Sequence, residues 1–272
     1  MSFNQIYNDI KSIKIQGAEN IAKTGLKALK LKSDKNSIKK LITARPTEPC
    51  LRNAIKFAKK YSIEDSLNHF ELAEYIIPKL GSKIIKNNFT IFTHCHSSTV
   101  ISILLQAKKE HKKFIVHNTE TRPLFQGRIT AKELSKANIK VNHFIDSGAR
   151  IALKKANLML IGCDAITSKG KIINKIGSEM MAEIAKQNSI PVYVCTNSWK
   201  FDPSAKFSFD SGIEKRQEKE IWQNHPKNVK IYNYAFEQIN PKLITGIISE
   251  LGIYSPKKFV KEVKKAYPWI SK

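Results

Sequence analysis

Residues 89–107, FTIFTHCHSSTVISILLQA, carry the pattern that decides the fold of this chain. The short apolar run at 90–93 is typical of a buried β-strand, and a helical pattern follows at 99–111. Ser97 and Ser98 stand between them, where the first turn of a helix prefers hydroxyl side chains. The stretch therefore predicts a strand that turns directly into a helix.

The same alternation of strand and helix continues toward the C-terminus. Further β-type runs lie at residues 114–118, 141–145, 158–162, 191–196 and 230–232. Helical patterns lie at residues 130–137, 148–155 and 177–187. Apolar strands that alternate with helices predict a parallel sheet covered on both faces, and ligands bind such sheets beyond the carboxyl ends of the strands.

The first 86 residues contain helical patterns and no good β-type run. Ile6 and Ile10 begin a series of apolar residues at helical spacing, and Gly81 is suited to end the last of these helices. We therefore predict the α/β class, with an N-terminal helical domain at residues 1–86 followed by a Rossmann-like parallel-sheet domain at residues 87–272.

The charge of the chain is strongly positive. It has 47 Lys and Arg against 23 Asp and Glu, a formal net charge of +24. Such an excess favours anionic partners, namely nucleic acid, phosphorylated metabolites or acidic surfaces. Because the lysines are spread along the whole chain, a surface solvated by a lysine-rich composition is the alternative. The basic segment at residues 257–265 is more typical of the solvated face of a terminal helix, so a nucleic-acid partner is not expected.

The sequence indicates a cytoplasmic protein. No apolar run reaches the roughly 20 residues of a membrane span, and residues 1–14 lack the apolar segment of a signal peptide. The four cysteines, Cys50, Cys95, Cys163 and Cys195, show neither CxxC spacing nor a metal-binding pattern with histidine. We expect free thiols in a reducing compartment, no membrane partner and no metal site.

Cys95 emerges from the first predicted strand, immediately before the hydroxyl residues Ser97, Ser98 and Thr99. A helix start with hydroxyl side chains and free backbone N–H groups suits a phosphate group. The same helix dipole lowers the pKa of a nearby thiol and favours the thiolate. A reactive thiol is one interpretation of Cys95, and a buried cysteine beside a helix cap is the other.

Asp164 follows the apolar run at 158–162 and is flanked by apolar residues. A carboxyl group in such a setting has a raised pKa and can donate a proton, although a loop carboxylate that caps the next turn is the alternative. Candidate cations lie in loops, at Arg45, Lys175 and Lys200. Together these residues would place a thiol, a carboxyl group and several cations where a parallel sheet binds ligands.

Six motifs occur in order along the chain, THCHSS, NTETRP, IDSGA, GCDAI, INKIGS and SWKF, after QGAENIA and TARPTEP in the helical region. In this combination the chain resembles the superfamily that joins ribose-1,5-bisphosphate isomerase, methylthioribose-1-phosphate isomerase and the alpha, beta and delta regulatory subunits of initiation factor 2B. The isomerases carry a catalytic cysteine and aspartate, whose positions match Cys95 and Asp164. The initiation-factor subunits commonly lack that pair.

The resemblance is closer to the ribose-1,5-bisphosphate isomerases, because THCHSS replaces the Thr-Gly that usually follows the cysteine of the methylthioribose enzymes. It places the substrate contacts at Gln16, Gly17, Ala18, Glu19, Arg45, Ser97, Ser98, Thr99, Asn174, Lys175 and Lys200. One departure concerns Gln16, where the isomerases usually carry arginine. The guanidinium that would face a phosphate there is missing, so the resemblance leaves this contact open.

The resemblance implies an aldose–ketose isomerisation of a sugar phosphate without metal or nucleotide cofactor. Asp164 would assist opening of the ribose ring, and Cys95 as thiolate would remove the C2 proton to give an enediol. The implied role is nucleotide ribose salvage by a homodimer or hexamer. The alternatives are a non-catalytic regulatory protein that senses sugar phosphates or nucleotides, and a methylthioribose-1-phosphate isomerase.

Overall fold

The N-terminal part of the chain is helical, as predicted. The computed structural model describes residues 1–12, 14–15, 17–45, 48–205 and 215–271. Five helices precede the first strand: α1 (Phe3–Lys11), α2 (Ala18–Leu31), α3 (Lys35–Ala44), α4 (Pro49–Lys60) and α5 (Ile63–Ser82). Side chains cap several of them, since Asp34 accepts from the first N–H groups of α3 and Ser62 from that of Asp65 in α5.

Strands and helices then alternate. The strands are β1 (Phe89–Thr93), β2 (Phe114–Thr119), β3 (Lys140–Phe144), β4 (Leu158–Ile161), β5 (Ala165–Thr167), β6 (Ile172–Lys175), β7 (Val192–Cys195), β8 (Phe201–Asp202), β9 (Phe236–Ile239), β10 (Gly246–Ser249) and β11 (Gly252–Tyr254). The helices are α6 (Ser98–Lys109), α7 (Gln126–Lys136), α8 (Ala149–Leu153), α9 (Ser178–Gln187) and α10 (Pro256–Ala266). The α/β class with a parallel-sheet region is confirmed, whereas the domain boundary at residue 86 stays a prediction.

The main sheet has seven strands in the order β11-β10-β7-β4-β1-β2-β3, and all neighbours are parallel except β10 and β11. The chain moves from β1 to β2 and β3 on one side, and β4, β7 and β10 add on the other. The order therefore reverses between β1 and β4. A crevice opens beyond the carboxyl ends of the strands at such a point.

The sheet is covered on both faces. Ile91 of β1 packs in one apolar cluster with Val100 of α6 and Ile77 of α5. Its neighbour Phe92 points to the opposite face and belongs to the cluster that contains Leu26 of α2. The N-terminal helices and the sheet consequently share their hydrophobic core.

Two features of the sheet differ from the sequence prediction. The run at 230–232 forms no strand, and the next parallel strand of the main sheet is β10, which is buried along its whole length. Lys230 and Tyr232 are exposed, so the run has no buried face. The second sheet, ordered β8-β5-β6-β9, was not predicted, because strands of two to four residues show no usable periodicity.

Within the described residues, no helix combines the length and the apolar character that crossing a membrane requires.

Candidate active site

One cleft of about 510 Å³ lies at the carboxyl ends of β1 and β4. The predicted site residues that line it are Gly17, Ala18, Glu19, Arg45, Cys95, Ser97, Ser98, Thr99, Asp164, Asn174, Lys175 and Lys200. Gln16 lies outside the described residues. The fold thus brings together every predicted site residue that the structure describes, from six separate segments of the chain. Their individual roles stay predictions.

Cys95 occupies a strained backbone conformation at the end of β1. Its φ angle is +68°, a left-handed conformation that costs energy for a residue with a Cβ atom. Two hydrogen bonds hold it there: the Cys95 N–H donates to Thr121 Oγ1 at 3.0 Å, and the Thr130 hydroxyl donates to the Cys95 carbonyl oxygen at 2.9 Å. The loop of Thr121 and helix α7 therefore hold the backbone from which the half-buried thiol projects.

The electrostatic state of Cys95 differs from the low pKa expected at a helix start. Burial raises the pKa of the Cys95 thiol to about 11, against the opposing effect of the Lys175 ammonium. The carboxylates of Asp164 and Asp146 raise this pKa further. Because the charge on Asp164 disfavours the thiolate, protonation of Asp164 would favour it. The titrations of Cys95 and Asp164 are therefore coupled.

Asp146 supports Cys95 indirectly. Its carboxylate accepts from the backbone N–H of Thr121 at 2.8 Å and of Arg122 at 2.7 Å. Thr121 in turn receives the Cys95 N–H on its hydroxyl. Asp146 therefore holds the NTETRP loop, and that loop holds the backbone of Cys95.

The two histidines beside Cys95 are fixed in defined tautomers. His94 Nε2 lies 2.9 Å from the carbonyl oxygen of Ile176 and must donate to it, and Nδ1 accepts from the Thr119 hydroxyl at 2.6 Å. Burial lowers the pKa of His94, so the ring is neutral. The Thr130 hydroxyl donates its hydrogen to the Cys95 carbonyl oxygen, so it can only accept from His96. His96 Nδ1 therefore donates to Thr130 Oγ1 at 3.1 Å. His94 thereby ties the end of β1 to the turn that follows Lys175.

Asp164 lies just beyond β4, and its N–H donates to the carbonyl oxygen of Ile173 at 2.8 Å. This bond joins the end of β4 to strand β6 of the second sheet. Lys200 is buried nearby and donates from Nζ to the carbonyl oxygen of Cys163 at 2.6 Å. Burial disfavours its ammonium, but the thiols and carboxylates around it, Cys163 and Asp164 foremost, together outweigh that effect and raise the pKa of Lys200. The cleft therefore contains an ammonium group that stays charged beside Asp164.

Lys175 and Asn174 end β6, and both are buried. The Lys175 ammonium lies 4.9 Å from the centre of the Phe236 ring, and Asn174 donates to Ser178 Oγ at 2.9 Å. Helix α9 starts directly after this turn, but a protein carboxylate already occupies its N-terminus. Glu237 accepts the Glu179 N–H at 2.7 Å, and burial raises the pKa of Glu237 to about 7.

The start of α6 forms the opposite wall. Ser97 caps the helix and accepts the Val100 N–H at 3.4 Å. Gly162 packs against it so closely that a Cβ atom there would lie 2.7 Å from the Cβ of Ser97. A glycine at the end of β4 is therefore required to bring Asp164 beside the helix start.

Residues of the helical region close the cleft. Gly17 precedes α2 with a φ angle of +84°, and Glu19 in the first turn lies 3.2 Å from the Lys23 ammonium. Burial raises the pKa of Glu19. Arg45 is buried at the end of α3, where its guanidinium lies 3.2 Å from Glu48 Oε1. The helical region thus contributes both a cation and carboxyl groups.

Several cleft residues were not among the predicted contacts, and they include Lys14, Asn20, Glu48, His94, His96, Gln126, Arg216 and Phe236. Gln126 has a buried Oε1 atom without a hydrogen-bond partner among the described residues. The sequence signal for Gln126 is that residues 119–126 directly follow the second predicted strand. Arg216, whose guanidinium lies 2.8 Å from Glu220 Oε1, comes from a segment with no recognisable signal.

The described residues contain no group of three or more His, Cys, Asp or Glu side chains placed to hold a metal ion. A reaction without metal stays a prediction.

Comparison with known proteins places the chain among enzymes and translation factors. The sequence profile described as the Initiation factor 2 subunit family matches residues 14–256. Ribose 1,5-bisphosphate isomerase of Methanocaldococcus jannaschii is 33% identical over 98% of this chain and 96% of its own length. Methylthioribose-1-phosphate isomerase of Thermosipho melanesiensis is 35% identical over 70% of this chain and 60% of its own length.

Among solved structures, the Pyrococcus horikoshii protein described as translation initiation factor eIF-2B superimposes with a TM-score of 0.85 and 28% identity. The superposition covers 95% of this chain and 98% of that protein. The helices and the sheet of the present structure are therefore shared with that protein.

Proposed function

This chain belongs to the Initiation factor 2 subunit family, and we propose that it is an isomerase that converts ribose 1,5-bisphosphate into ribulose 1,5-bisphosphate. The observation that carries the proposal is the presence of Cys95 and Asp164 in one cleft with Lys175 and Lys200. The relatives named ribose 1,5-bisphosphate isomerase, which this chain matches over nearly its full length, support the same reaction. A protein that only senses sugar phosphates has no need for a thiol and a carboxyl group in this relation.

Asp164 and Cys95 divide the proton transfers between them. Asp164, protonated, donates to the ring oxygen as the bond between that oxygen and C1 breaks. Cys95 as thiolate removes the C2 proton, which gives an enediol whose C1 oxygen still carries the phosphate. Cys95 then returns its proton to C1, while the Asp164 carboxylate takes the C2 hydroxyl proton and the C2 carbonyl forms. Both groups end in the state in which they began.

The phosphates are assigned to two sides of the cleft. The start of α6, from Ser97 to Thr99, offers backbone N–H groups and hydroxyls to one of them. Arg45, Lys175 and Lys200 come from three other segments and hold the second. The pocket therefore supplies fixed donors to both ends of a bisphosphate.

The direct test is to incubate the purified protein with ribose 1,5-bisphosphate and to observe the ketose by NMR. Methylthioribose 1-phosphate is the matched alternative substrate. We expect the ketose bisphosphate to form with the wild type and not with Asp164→Asn, which retains the shape of the side chain but supplies no proton. Conversion of methylthioribose 1-phosphate alone would identify the second type of isomerase, and binding without turnover of either sugar would identify a regulatory protein.

We also infer a cytoplasmic homo-oligomer, at least a dimer, as implied by the resemblance. Static light scattering at micromolar concentration is expected to give a mass above the 30.9 kDa of one chain. A clean monomer would contradict the inference.

A further inference from the structure

We propose that Glu250 is a positioning residue that holds Lys200 at the cleft through the backbone of Ser198. Glu250 lies in the turn between β10 and β11, and its side chain is 3% exposed. Both carboxylate oxygens accept the Ser198 N–H at 3.1 Å, and one also accepts the Ser198 hydroxyl. Ser198 is the first residue of the helical turn that ends at Lys200.

The opposite side of the same turn is fixed by α4. Asn53 Nδ2 donates to the carbonyl oxygens of Trp199 and Phe201, both at 2.8 Å. With Glu250 on one side and Asn53 on the other, the backbone on either side of Lys200 has little freedom. The Lys200 ammonium then reaches across to the carbonyl oxygen of Cys163, next to Asp164. Loss of either support would let the ammonium move from this position.

The surroundings of Glu250 argue for a specific task. Among the residues that the structure describes, the titratable groups that face it are His69 of α5, Tyr267 after α10 and Glu19 of α2. His69 Nε2 lies 3.8 Å from Glu250 Oε1, but burial lowers the pKa of His69 to about 3, so the ring is neutral at pH 7. None of these groups is a cation that would compensate for a buried carboxylate. A buried acid without a cationic partner lowers the free energy of unfolding. The bonds that Glu250 makes are those to Ser198, so we infer that its role is to hold Ser198.

Glu237 provides a matched comparison beside the cleft, since its chain neighbour Phe236 lines it. It is also a buried acid whose carboxylate accepts a backbone N–H at the start of a helical element, but it holds the start of α9, close to Lys175. Replacement of Glu237 by alanine therefore controls for the loss of a buried carboxylate as such. The proposal requires Glu250, and not Glu237, to act together with Lys200.

A double-mutant cycle tests this coupling. Glu250→Ala is expected to raise the KM for ribose 1,5-bisphosphate on the order of 10-fold, with a smaller change in kcat, because it displaces a binding group. In a Lys200→Ala background, Glu250→Ala is expected to raise KM by less than about 3-fold. In a Lys175→Ala background, it is expected to raise KM as much as in the wild type. Glu237→Ala is expected to act in full in the Lys200→Ala background.

Two further variants keep the test decisive if Glu250→Ala does not fold. Glu250→Gln retains an acceptor for the Ser198 N–H and is expected to recover most of the affinity. Ser198→Ala removes the hydroxyl bonds of Ser198 but retains its N–H bonds to Glu250. It is expected to raise KM less than Glu250→Ala, with the same dependence on Lys200. The proposal would be overturned if each of these variants raised KM by the same factor in the wild-type background and in the Lys200→Ala background.

The proposal uses the proposed function only for the choice of substrate, so a second readout avoids the reaction. Iodoacetamide is expected to alkylate Cys95, which is half-buried, in preference to the other three cysteines, which are buried. The Cys95→Ser variant identifies the signal of Cys95. Inorganic pyrophosphate is expected to protect Cys95 from alkylation. The double-mutant cycle of Glu250 and Lys200 can then be repeated with the pyrophosphate concentration that gives half-maximal protection as the measured quantity. If pyrophosphate protects Cys95 and the effects of Glu250→Ala and Lys200→Ala are coupled, but no ketose forms, then only the proposed function is refuted. Absence of coupling in this readout, or protection that does not depend on Lys200, would overturn the positioning role.

Discussion

Two helix starts border the cleft, and they are used differently. At the start of α6, Ser97 provides the cap, and among the described residues no side-chain carboxylate accepts from the first N–H groups of this helix. At the start of α9, the carboxylate of Glu237 accepts the Glu179 N–H. Both helices follow a strand and a short turn, so local sequence alone does not separate them.

The difference teaches where an anion can bind. A helix N-terminus carries a partial positive charge and unpaired N–H groups, and either a protein carboxylate or a ligand can satisfy them. In α9 the protein does so itself, and Lys175 contributes to the cleft through its side chain. In α6 the backbone remains accessible beside Cys95, so this is the helix start at which we expect a phosphate.

The largest effect on activity is expected from removal of the Cys95 thiol, which lies next to the start of α6. Cys95→Ser is expected to fold normally and to lose about 100- to 10,000-fold in kcat, because a serine alkoxide is too basic to form near neutral pH. Steady-state kinetics with the bisphosphate check this. A variant that keeps more than about a tenth of the wild-type rate would place the base elsewhere.

A carboxylate introduced at the start of α6 would make it resemble the start of α9. Ser98→Asp is expected to raise the KM of the bisphosphate by about 100-fold through repulsion of the phosphate, while leaving the helix at least as stable. Ser98→Asn is the neutral control and should raise KM much less. Equal effects of the two substitutions would mean that no phosphate binds at this helix.

The cations on the other side of the cleft should have a somewhat smaller effect. Lys200→Ala is expected to weaken bisphosphate binding by about 10- to 100-fold, the value of a charge-assisted hydrogen bond. Lys258 on the exposed face of α10 is the control, since its charge is screened by solvent. Isothermal titration of both variants with the bisphosphate checks this. Equal losses would mean that the net charge of +24 acts only as a diffuse field.

The smallest effect concerns stability at the start of α9. Burial raises the pKa of Glu237 to about 7 from an ordinary value of 4.5, so the folded state retains a proton that the unfolded state releases. Relative to Glu237→Gln, the wild type should lose up to about 3 kcal/mol of unfolding free energy as the pH rises from 4.5 to 7. Urea unfolding of both proteins across this range measures the difference. A difference that grows in favour of the wild type would show that the N–H groups of α9 outweigh burial.

Much of the fold and of the cleft followed from the sequence. The strand–turn–helix pattern around Cys95 predicted β1 and α6, and the apolar run before Asp164 predicted β4. Since the order of the main sheet reverses between these two strands, the residues that follow them meet. The contacts taken from the resemblance lie in the same cleft, except that Gln16 is outside the described residues.

What the sequence determined by itself is the kind of element each segment forms and the chemistry available at each strand end, because periodicity and residue type are local properties. The tertiary structure decided which of the two helix starts a carboxylate fills, that burial would raise the pKa of Cys95, and that Glu250 would support the turn before Lys200. It also decided that β10, rather than the run at 230–232, would extend the main sheet. Each of these depends on which distant segments pack together, since burial and hydrogen-bond partners arise only after the chain has folded.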